Sequence, residues 1–270
     1  MNYNEQHDKR ISGRIGLIAA GGVNQSFLAR MPALLKRLGP LKGASLQISR
    51  RLANGLKVGV GVSDYRAFEA CDLIWIAIPE TTLDAVVDDL AGHIQLEHKM
   101  IVLCDVMKDS FRLSSLRIAG AHVASLNCVP ASSERTFIAE GHPAVIGELR
   151  KLLRIDGRKL IELRSGSKQL YLSSIYLGMY AVLPLIGAAV ENLRATGFSR
   201  IEAMSAVQAL GTRALRAYAK SGNRAWKNAA AERLHAGILR DCEASTRPTR
   251  RGTQFYSEGA PDVLRLIKRD

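Results

Sequence analysis

Apolar residues in the first half of the chain occur in short runs that polar turns separate. Four of these runs are apolar on both faces, at residues 15–19, 72–79, 100–104 and 123–126. Such runs are typical of central strands in a parallel sheet that helices cover on both sides. Between the strands apolar residues recur with helical period, most clearly over residues 80–90. This alternation predicts an α/β fold with a doubly wound, mostly parallel sheet.

Weaker patterns predict the elements between these strands. A first helix is expected over residues 24–38, kinked at Pro32 and ended by Gly39-Pro40. The remaining predictions are strands at 45–48 and 57–62, a short helix at 64–70, one or two edge strands within 136–146, and a helix at 148–153.

The second half of the chain has no strand pattern. Residues 167–196, 199–220 and 223–242 have helical patterns, which Gly197 and Ser221-Gly222 interrupt. We therefore predict an α/β domain over residues 14–165, an all-helical domain over residues 166–270, and a disordered leader at residues 1–13.

A glycine turn follows the first strand and precedes the first predicted helix. The three glycine positions of the dinucleotide pattern G-x-G-x-x-G are occupied by Ala19, Gly21 and Asn24. With Ala20, Gly22 and Val23 they form a turn whose backbone N–H groups can hold a pyrophosphate at a helix N-terminus. A turn with only a structural role stays an open alternative.

The predicted strand at 45–48 ends in Ser49, Arg50 and Arg51. Sites that prefer NAD place a carboxylate at this point, where it accepts hydrogen bonds from the ribose 2′-OH. A hydroxyl and two guanidinium groups suit the 2′-phosphate of NADP instead. Two solvated arginines at the start of a helix are the equally simple alternative.

Composition narrows the class of protein. The 270 residues carry a net charge of +13, with four scattered cysteines and no metal-ligand spacing of histidines or cysteines. The basic residues form no single tract and accompany no nucleic-acid motif, so we expect anionic small molecules as partners rather than nucleic acid.

The longest apolar run, residues 175–190, contains Pro184 and suits a buried helix. The polar N-terminus has no signal-peptide core, and we expect a cytoplasmic protein without metal.

The chain resembles a bacterial group of two-domain, Rossmann-like oxidoreductases of unassigned substrate. This group is related to pyrroline-5-carboxylate reductase, ketopantoate reductase and the phosphogluconate-dehydrogenase superfamily. The resemblance covers residues 14–210 and is carried by the segments 15–24, 70–79, 124–130 and 168–174. It implies NADP as cofactor, contacts from Ile78 and Pro79 at the end of a central strand, and a homodimer formed through the C-terminal helices.

The same resemblance points to three candidate catalytic residues and to three departures, one of which is the incomplete glycine pattern of the first turn. Lys168 would act as a general acid that polarises the acceptor, or would hold a carboxylate, with Tyr171 on the same helix face as a proton donor. A solvated lysine at a helix end and a tyrosine packed in the core are the open alternatives. Asn127 and Leu172 occupy positions where the group commonly has histidine, which removes two groups that titrate near neutral pH. Asn127 can orient a carbonyl or imine but cannot transfer a proton.

Two functions follow from these residues. The first is transfer of a hydride to or from a C=O or C=N group of a small, anionic substrate. The second is a nucleotide-binding regulatory or scaffold protein without catalytic activity, which the missing histidines and glycines favour.

Overall fold

The computed structural model describes residues 14–20, 31–129 and 136–225. The chain divides into two compact units, Met1–Ser173 and Ser174–Asp270. The predicted domain boundary near residues 164–166 stays a prediction. The predicted leader, the predicted helical residues 24–30 and the predicted helix at 223–242, apart from its first three residues, lie outside the described residues.

The described strands form one mixed sheet in the first unit. Its order is β3-β2-β1-β4-β5-β6-β7-β8, and neighbouring strands are parallel except for the antiparallel pair β6–β7. The strands are β1 (Arg14–Ala19), β2 (Leu38–Lys42), β3 (Val60–Gly61), β4 (Cys71–Ala77), β5 (Met100–Leu103), β6 (His122–Cys128), β7 (Thr136–Gly141) and β8 (Lys159–Glu162).

The described helices connect these strands and then continue without further strands. They are α1 (Pro32–Leu35), α2 (Leu46–Leu56), α3 (Leu83–His93), α4 (Ser114–Ile118), α5 (Pro143–Ile155), α6 (Lys168–Ile175), α7 (Val182–Ala195) and α8 (Arg200–Ser221). Short 3₁₀ turns occur at Tyr65–Phe68, Glu80–Thr82, Ser110–Leu113 and Gly222–Ala225.

Two hydrophobic clusters cover the two faces of the sheet. Alternate residues of β4 point to opposite sides, so that Leu73 and Trp75 belong to one cluster, whereas Ile74 and Ile76 belong to the other. Helix α5 packs in the first cluster and α3 in the second. Both faces are therefore buried, which is the reason that the central strands lack a polar alternation.

The predicted strand at residues 45–48 is wrong. Ser45 is the N-cap of α2, and its hydroxyl accepts a hydrogen bond of 3.3 Å from the backbone N–H of Ile48. The strand beside β1 on the side away from β4 is β2, which contains the Gly39-Pro40 sequence that we interpreted as a helix stop.

Proline is tolerated in β2 because the pairing is irregular there. Ile15 pairs with Leu38 and Leu17 with Leu41, so β2 holds one residue more than β1 between these pairs. A bulge of this kind leaves one residue out of the hydrogen-bond ladder, and Pro40 has no N–H to lose.

Other differences concern the edges of the sheet. The strand predicted at 57–62 is reduced to the two residues of β3. It starts late because Lys57 ends α2 in the left-handed conformation, with φ of 57°. Strand β8 was not predicted and pairs in parallel with β7. The elements predicted at 80–90, 100–104 and 123–126 are confirmed with small shifts of their bounds, whereas the helix predicted at 64–70 is only the 3₁₀ turn Tyr65–Phe68.

The second unit is helical in its described part. A π-helical turn at Tyr176–Tyr180 joins α6 to α7, and α7 packs against α8. Gly197 (φ of 105°) follows α7, and a capping box of Ser199 and Glu202 begins α8. These helix bounds confirm the interruption predicted at Gly197.

The segment Lys168–Ala195 is one helix that is long and apolar enough to cross a membrane by length and composition. One such helix is weak evidence for a membrane protein, since core helices of soluble proteins have the same composition. Our prediction that residues 175–190 form a buried helix is wrong, because each of these residues is exposed or only half-buried. Apolar composition predicts that a helix needs a covering partner, but it does not identify that partner.

Candidate functional site

The carboxyl ends of the parallel strands β1, β4, β5 and β6 lie at the same edge of the sheet. The strand order reverses between β1 and β4, which makes the gap between their ends the topological switch point. Ligands of open α/β sheets bind at this point. A ligand site of this fold is therefore expected at this edge.

Ala19, Ala20, Ile78 and Pro79 lie at the switch point. The N–H of Ala20 donates to the backbone oxygen of Ala77 over 3.2 Å, so β1 and β4 stay paired up to their last residues. Pro79 is extended and begins the 3₁₀ turn that leads into α3. The structure thus brings these four predicted residues together. The other predicted residues of the glycine turn, Gly21, Gly22, Val23 and Asn24, lie outside the described residues.

Ser49, Arg50 and Arg51 are not at the end of a strand. They lie within α2, where Ser49 is fully buried and its hydroxyl donates to the oxygen of Ser45 and accepts from the N–H of Gly43 at 2.9 Å. Arg50 and Arg51 are exposed on the same helix. The reason is that residues 45–48, which we predicted as a strand, form the N-cap and the first turn of α2.

The end of β2 is instead occupied by Lys42. Its ammonium lies 4.4 Å from the centre of the Tyr65 ring, a cation–π contact. Residues 42–51 contain three basic side chains and no carboxylate. The chemistry at this end of the sheet therefore suits a phosphate group rather than a ribose hydroxyl that seeks an acceptor.

Lys168 begins α6 and is completely buried. Its Nζ donates to the backbone oxygen of Asp105 at 2.7 Å, to the backbone oxygen of Lys108, and to the hydroxyl of Ser125 at 3.2 Å. An ammonium has three N–H donors, and all three are used. Burial lowers the pKa of Lys168, and the charges of nearby Asp105 and Glu140 partly oppose this shift.

Glu140 on β7 balances the charge of Lys168 through Ser125. The two residues Ser125 and Glu140 face each other across the β6–β7 pair, and the hydroxyl donates to Oε1 at 2.7 Å. Glu140 is fully buried and also accepts from the N–H and the hydroxyl of Ser110 at 2.6 Å and 2.9 Å. Buried charges of this kind persist when they are paired and fully hydrogen-bonded.

Sequence reasoning missed both Glu140 and Ser110. The one available signal was a glutamate inside the otherwise apolar segment Phe-Ile-Ala-Glu of a predicted edge strand. A carboxylate there implies a buried cation in reach, but the sequence alone does not say which of the 38 basic residues supplies it.

The loop after β5 is fixed by the same network. Asp105 accepts from the N–H groups of Met107 and Lys108 at 2.6 Å and 2.8 Å. The Lys108 ammonium forms a 2.6 Å ion pair with Glu80, which follows β4. The loops that follow β4 and β5 are therefore joined to each other and, through Lys168, to the start of α6.

Asn127 on β6 has an unsatisfied polar atom in a buried place. It is 4% exposed, its Nδ2 donates to the backbone oxygen of Cys128 at 3.1 Å, and its Oδ1 has no hydrogen-bond partner in the described part of the chain. A buried acceptor without a partner costs roughly 1–3 kcal/mol. The orientation of the amide is fixed, because a carbonyl accepts only from the nitrogen side.

Tyr171 lies one helical turn after Lys168 and also has an unsatisfied hydroxyl. Burial raises the pKa of Tyr171, and the neighbouring Cys128 adds to the shift. The phenol therefore holds its proton more firmly than a solvated tyrosine. Cys104 is protonated for the same reason, since burial raises the pKa of its thiol. In the described ranges no three histidine, cysteine or acidic side chains form a group suited to a metal ion.

Comparison with known proteins adds information on the fold. No protein-family model matches the chain, and no curated protein matches it in sequence. Solved structures do match it over almost its whole length. The V8 variant of an imine reductase from Myxococcus stipitatus, in complex with NAD⁺, is 16% identical with a TM-score of 0.67, and 94% of each chain is covered.

Two further solved structures have the same architecture. The imine reductase from Myxococcus stipitatus in complex with NADP⁺ is 16% identical, covers 94% of this chain and 92% of that chain, and has a TM-score of 0.63. A pyrroline-5-carboxylate reductase from Coxiella burnetii is 12% identical, covers 94% and 93%, and has a TM-score of 0.54. At these identities the similarity establishes a shared fold, which confirms the predicted doubly wound, Rossmann-like sheet followed by helices.

Proposed function

We propose that this chain is an NADP-dependent oxidoreductase that transfers a hydride to or from a C=O or C=N group of a small substrate. The observation that carries the proposal is the buried Lys168 network at the carboxyl edge of the sheet. A buried, fully hydrogen-bonded cation is costly to build and is concentrated at functional sites. The shared fold with an imine reductase in complex with NADP⁺ supports a nicotinamide dinucleotide as the ligand of this edge.

The residues at the switch point fit a dinucleotide. Ala19 ends β1 and Ala20 follows it, and their small side chains leave the backbone accessible to a pyrophosphate. The predicted turn residues Gly21, Gly22, Val23 and Asn24 would complete the phosphate contacts, and Ile78 and Pro79 would border the nicotinamide. When bound, NADPH supplies the hydride.

The 2′-phosphate would meet a basic surface at the end of β2. Lys42 ends the strand, and Arg50 and Arg51 are exposed on the helix that follows. The absence of carboxylates from residues 42–51 supports NADP over NAD. Ser49 has only a structural role in this surface, since both of its hydroxyl hydrogen bonds go to the backbone.

The three candidate catalytic residues have different roles in this proposal. None of the N–H groups of Lys168 is free to contact a substrate. Its role is therefore to hold the backbone carbonyls of the loop after β5 and to supply positive charge near the site. Tyr171 and Asn127 each carry an unsatisfied polar atom: the Tyr171 hydroxyl can donate to the hydride-accepting group, and Asn127 Oδ1 can accept from an N–H or O–H of the substrate. Asn127 orients the substrate, and Tyr171 is the one phenol among them that can donate a hydrogen bond.

A titration of the purified protein with NADPH and NADH by isothermal calorimetry tests the proposal. We expect NADPH to bind more tightly, and Lys42→Ala to weaken NADPH by roughly tenfold or more, since a hydrogen bond to a charged group contributes about 1.5–3 kcal/mol. Arg50→Ala tests whether Arg50 rather than Lys42 contacts the 2′-phosphate. Arg213→Ala, which changes an exposed arginine on α8, is the control. Failure of both nucleotides to bind would refute the proposal.

Binding without turnover would favour the second function, a nucleotide-binding regulatory or scaffold protein. A panel of carbonyl and imine compounds with NADPH distinguishes the two, because an oxidoreductase oxidises the cofactor with at least one class. Lys168→Met should abolish that turnover in an enzyme. In a scaffold protein the same variant changes stability alone.

We also propose a homodimer formed through the helical part of the chain. Large apolar side chains are exposed on the π-helical turn, α7 and α8, including Tyr176, Leu183, Ile201 and Leu215. Such a surface is typical of a protein interface. Sedimentation velocity should give a dimer that Leu183→Glu weakens, whereas Ile118→Glu on α4, exposed to 85%, should leave it intact. A monomer at all concentrations would contradict the proposal.

A further inference from the structure

Three histidine rings form a row at the amino edge of β5 and β6, the edge opposite to the candidate site. His98 precedes β5, His122 begins β6, and His142 follows the antiparallel strand β7. The rings of His122 and His142 are stacked, with their centres 3.9 Å apart and 6° between their planes, and the ring of His98 is centred 5.8 Å from that of His122. Because imidazole changes charge between pH 5 and 8, this histidine row can gain positive charge in that range.

His142 holds the first turn of α5 in a way that requires a neutral ring. It is the N-cap residue of this helix, and its Nδ1 accepts a hydrogen bond of 3.3 Å from the backbone N–H of Ala144. A proton on Nδ1 would turn this acceptor into a donor and break the cap. The N-terminus of a helix also carries partial positive charge, which disfavours an imidazolium. Protonation of His142 therefore removes a stabilising contact and adds a repulsive one.

The groups that face the histidine row also favour the neutral state. Burial, and then the charges of His142 and His98, lower the pKa of His122. The first turn of α5 contains no acidic residue. Glu97 approaches His98 to 3.7 Å, but both side chains are 80% exposed, and such a solvated pair contributes little. The ammonium of Lys99 donates to two backbone oxygens on the other side of β5. Two charged rings in the stack would therefore repel each other with little compensation.

The end of β7 connects the histidine row to the Lys168 network. Glu140, whose carboxylate belongs to that network, is two residues before His142. Gly141 between them, with φ of 134°, packs so closely on β6 that an added Cβ would lie 2.4 Å from the backbone oxygen of Val123. The N–H of His142 donates to the same oxygen at 2.8 Å. Because the two backbones are in close contact here, a displacement of His142 must also displace Gly141 and Glu140 relative to β6.

We propose that the histidine row is a pH-sensitive switch that loosens the Lys168 network when the pH falls. At neutral pH the rings are uncharged, His142 caps α5, and Glu140 holds Ser110 and Ser125. Below about pH 6.5, protons bind more readily to a form in which the cap is broken and the stacked rings are apart, so the population of this form rises. Glu140 then fixes the loop after β5 less firmly. The inference goes beyond the proposed function, because the switch acts on the protein without cofactor or substrate.

Hydrogen–deuterium exchange of the nucleotide-free protein at pH 7.5 and 5.5 tests the switch. Rates are converted to protection factors, which removes the intrinsic dependence of exchange on pH. We expect protection to fall at pH 5.5 in peptides that cover residues 142–150 and 104–110, by at least fivefold more than in peptides of β4, which report global unfolding. The loss of an N-cap contact alone changes a helix equilibrium by roughly fivefold. A fall no larger than that of β4 would overturn the inference.

Two variants assign the response to the histidine row. Asparagine is a preferred N-cap residue that does not titrate, so His142→Asn should keep α5 capped and reduce the excess fall to less than twofold in both segments. His122→Phe keeps a ring against His142 without a charge and should also reduce it. His93→Asn makes the same change at an exposed histidine of α3 and is the control. An excess fall that persists in His142→Asn, or one that spares residues 104–110 in the unaltered protein, would overturn the inference.

Discussion

Glu140 and Lys168 should stabilise the protein as a coupled pair, although no direct ion pair joins them. Ser125 bridges them, with 3.2 Å from Nζ to its hydroxyl and 2.7 Å from the hydroxyl to Oε1. The charges are therefore at most about 6 Å apart. At an effective dielectric constant of about 20, two unit charges at this distance attract by roughly 2.8 kcal/mol.

A double-mutant cycle measures this coupling. Lys168→Met leaves a buried carboxylate, and Glu140→Gln leaves a buried ammonium, so each should lower the free energy of unfolding by roughly 3–5 kcal/mol. The double variant removes both charges and should be more stable than additivity predicts by about 2–3 kcal/mol. Urea unfolding monitored by circular dichroism gives all four values.

The matched control is a surface ion pair of the same type. Arg150 and Glu162 are 2.8 Å apart, with side chains 45% and 48% exposed. Removing them in the same cycle should give a coupling of at most about 1 kcal/mol. Additive effects at Glu140 and Lys168, or a coupling no larger than that of the surface pair, would refute the view that the two buried charges balance each other.

Three further predictions concern stability. Burial, and then the charge of Asp89, raises the pKa of Tyr65 to about 12. Because the folded state holds this proton more firmly than the unfolded state, the free energy of unfolding should fall between pH 10 and 12. Tyr65→Phe should reduce that loss, as measured by thermal unfolding at alkaline pH. Burial, and then the charge of His142, lowers the pKa of His122. The unfolded state therefore binds a proton more readily, and the free energy of unfolding should fall as the pH drops below 6.5. His122→Phe should make the free energy of unfolding less dependent on pH in this range. Gly141→Ala should cost more than about 1 kcal/mol in urea unfolding, because φ is 134° and the added carbon would lie 2.4 Å from a backbone oxygen.

The central strands could be predicted from the sequence because burial on both faces leaves a continuous apolar run. Strand β2 could not, because its Gly39-Pro40 sequence is a turn signal and the bulge that accommodates proline depends on pairing with β1. The start of α2 had a signal that we underweighted. Ser45 is an N-cap residue, and Ile48, Leu52 and Leu56 recur every four residues, which indicates a helix.

The candidate site was predictable in part. Lys168, Tyr171 and Asn127 came from a resemblance, and the structure places Lys168 against the β6 residue Ser125 and Asn127 two residues further along the same strand. Their chemical state could not be predicted. Whether a lysine has free N–H groups depends on loop carbonyls 60 and 63 residues away in sequence, and whether an amide is satisfied depends on every neighbour at once.

Hydrogen–deuterium exchange with and without NADPH tests the central claim most directly, because it reports both binding and its location. The account predicts protection in peptides that cover residues 14–30, 77–83 and 104–110, at the carboxyl edge of β1, β4 and β5. Peptides of α8 should be unchanged at subunit concentrations where the oligomeric state is constant. No protection at any peptide, or protection confined to α8, would contradict the claim that this edge of the sheet binds the cofactor.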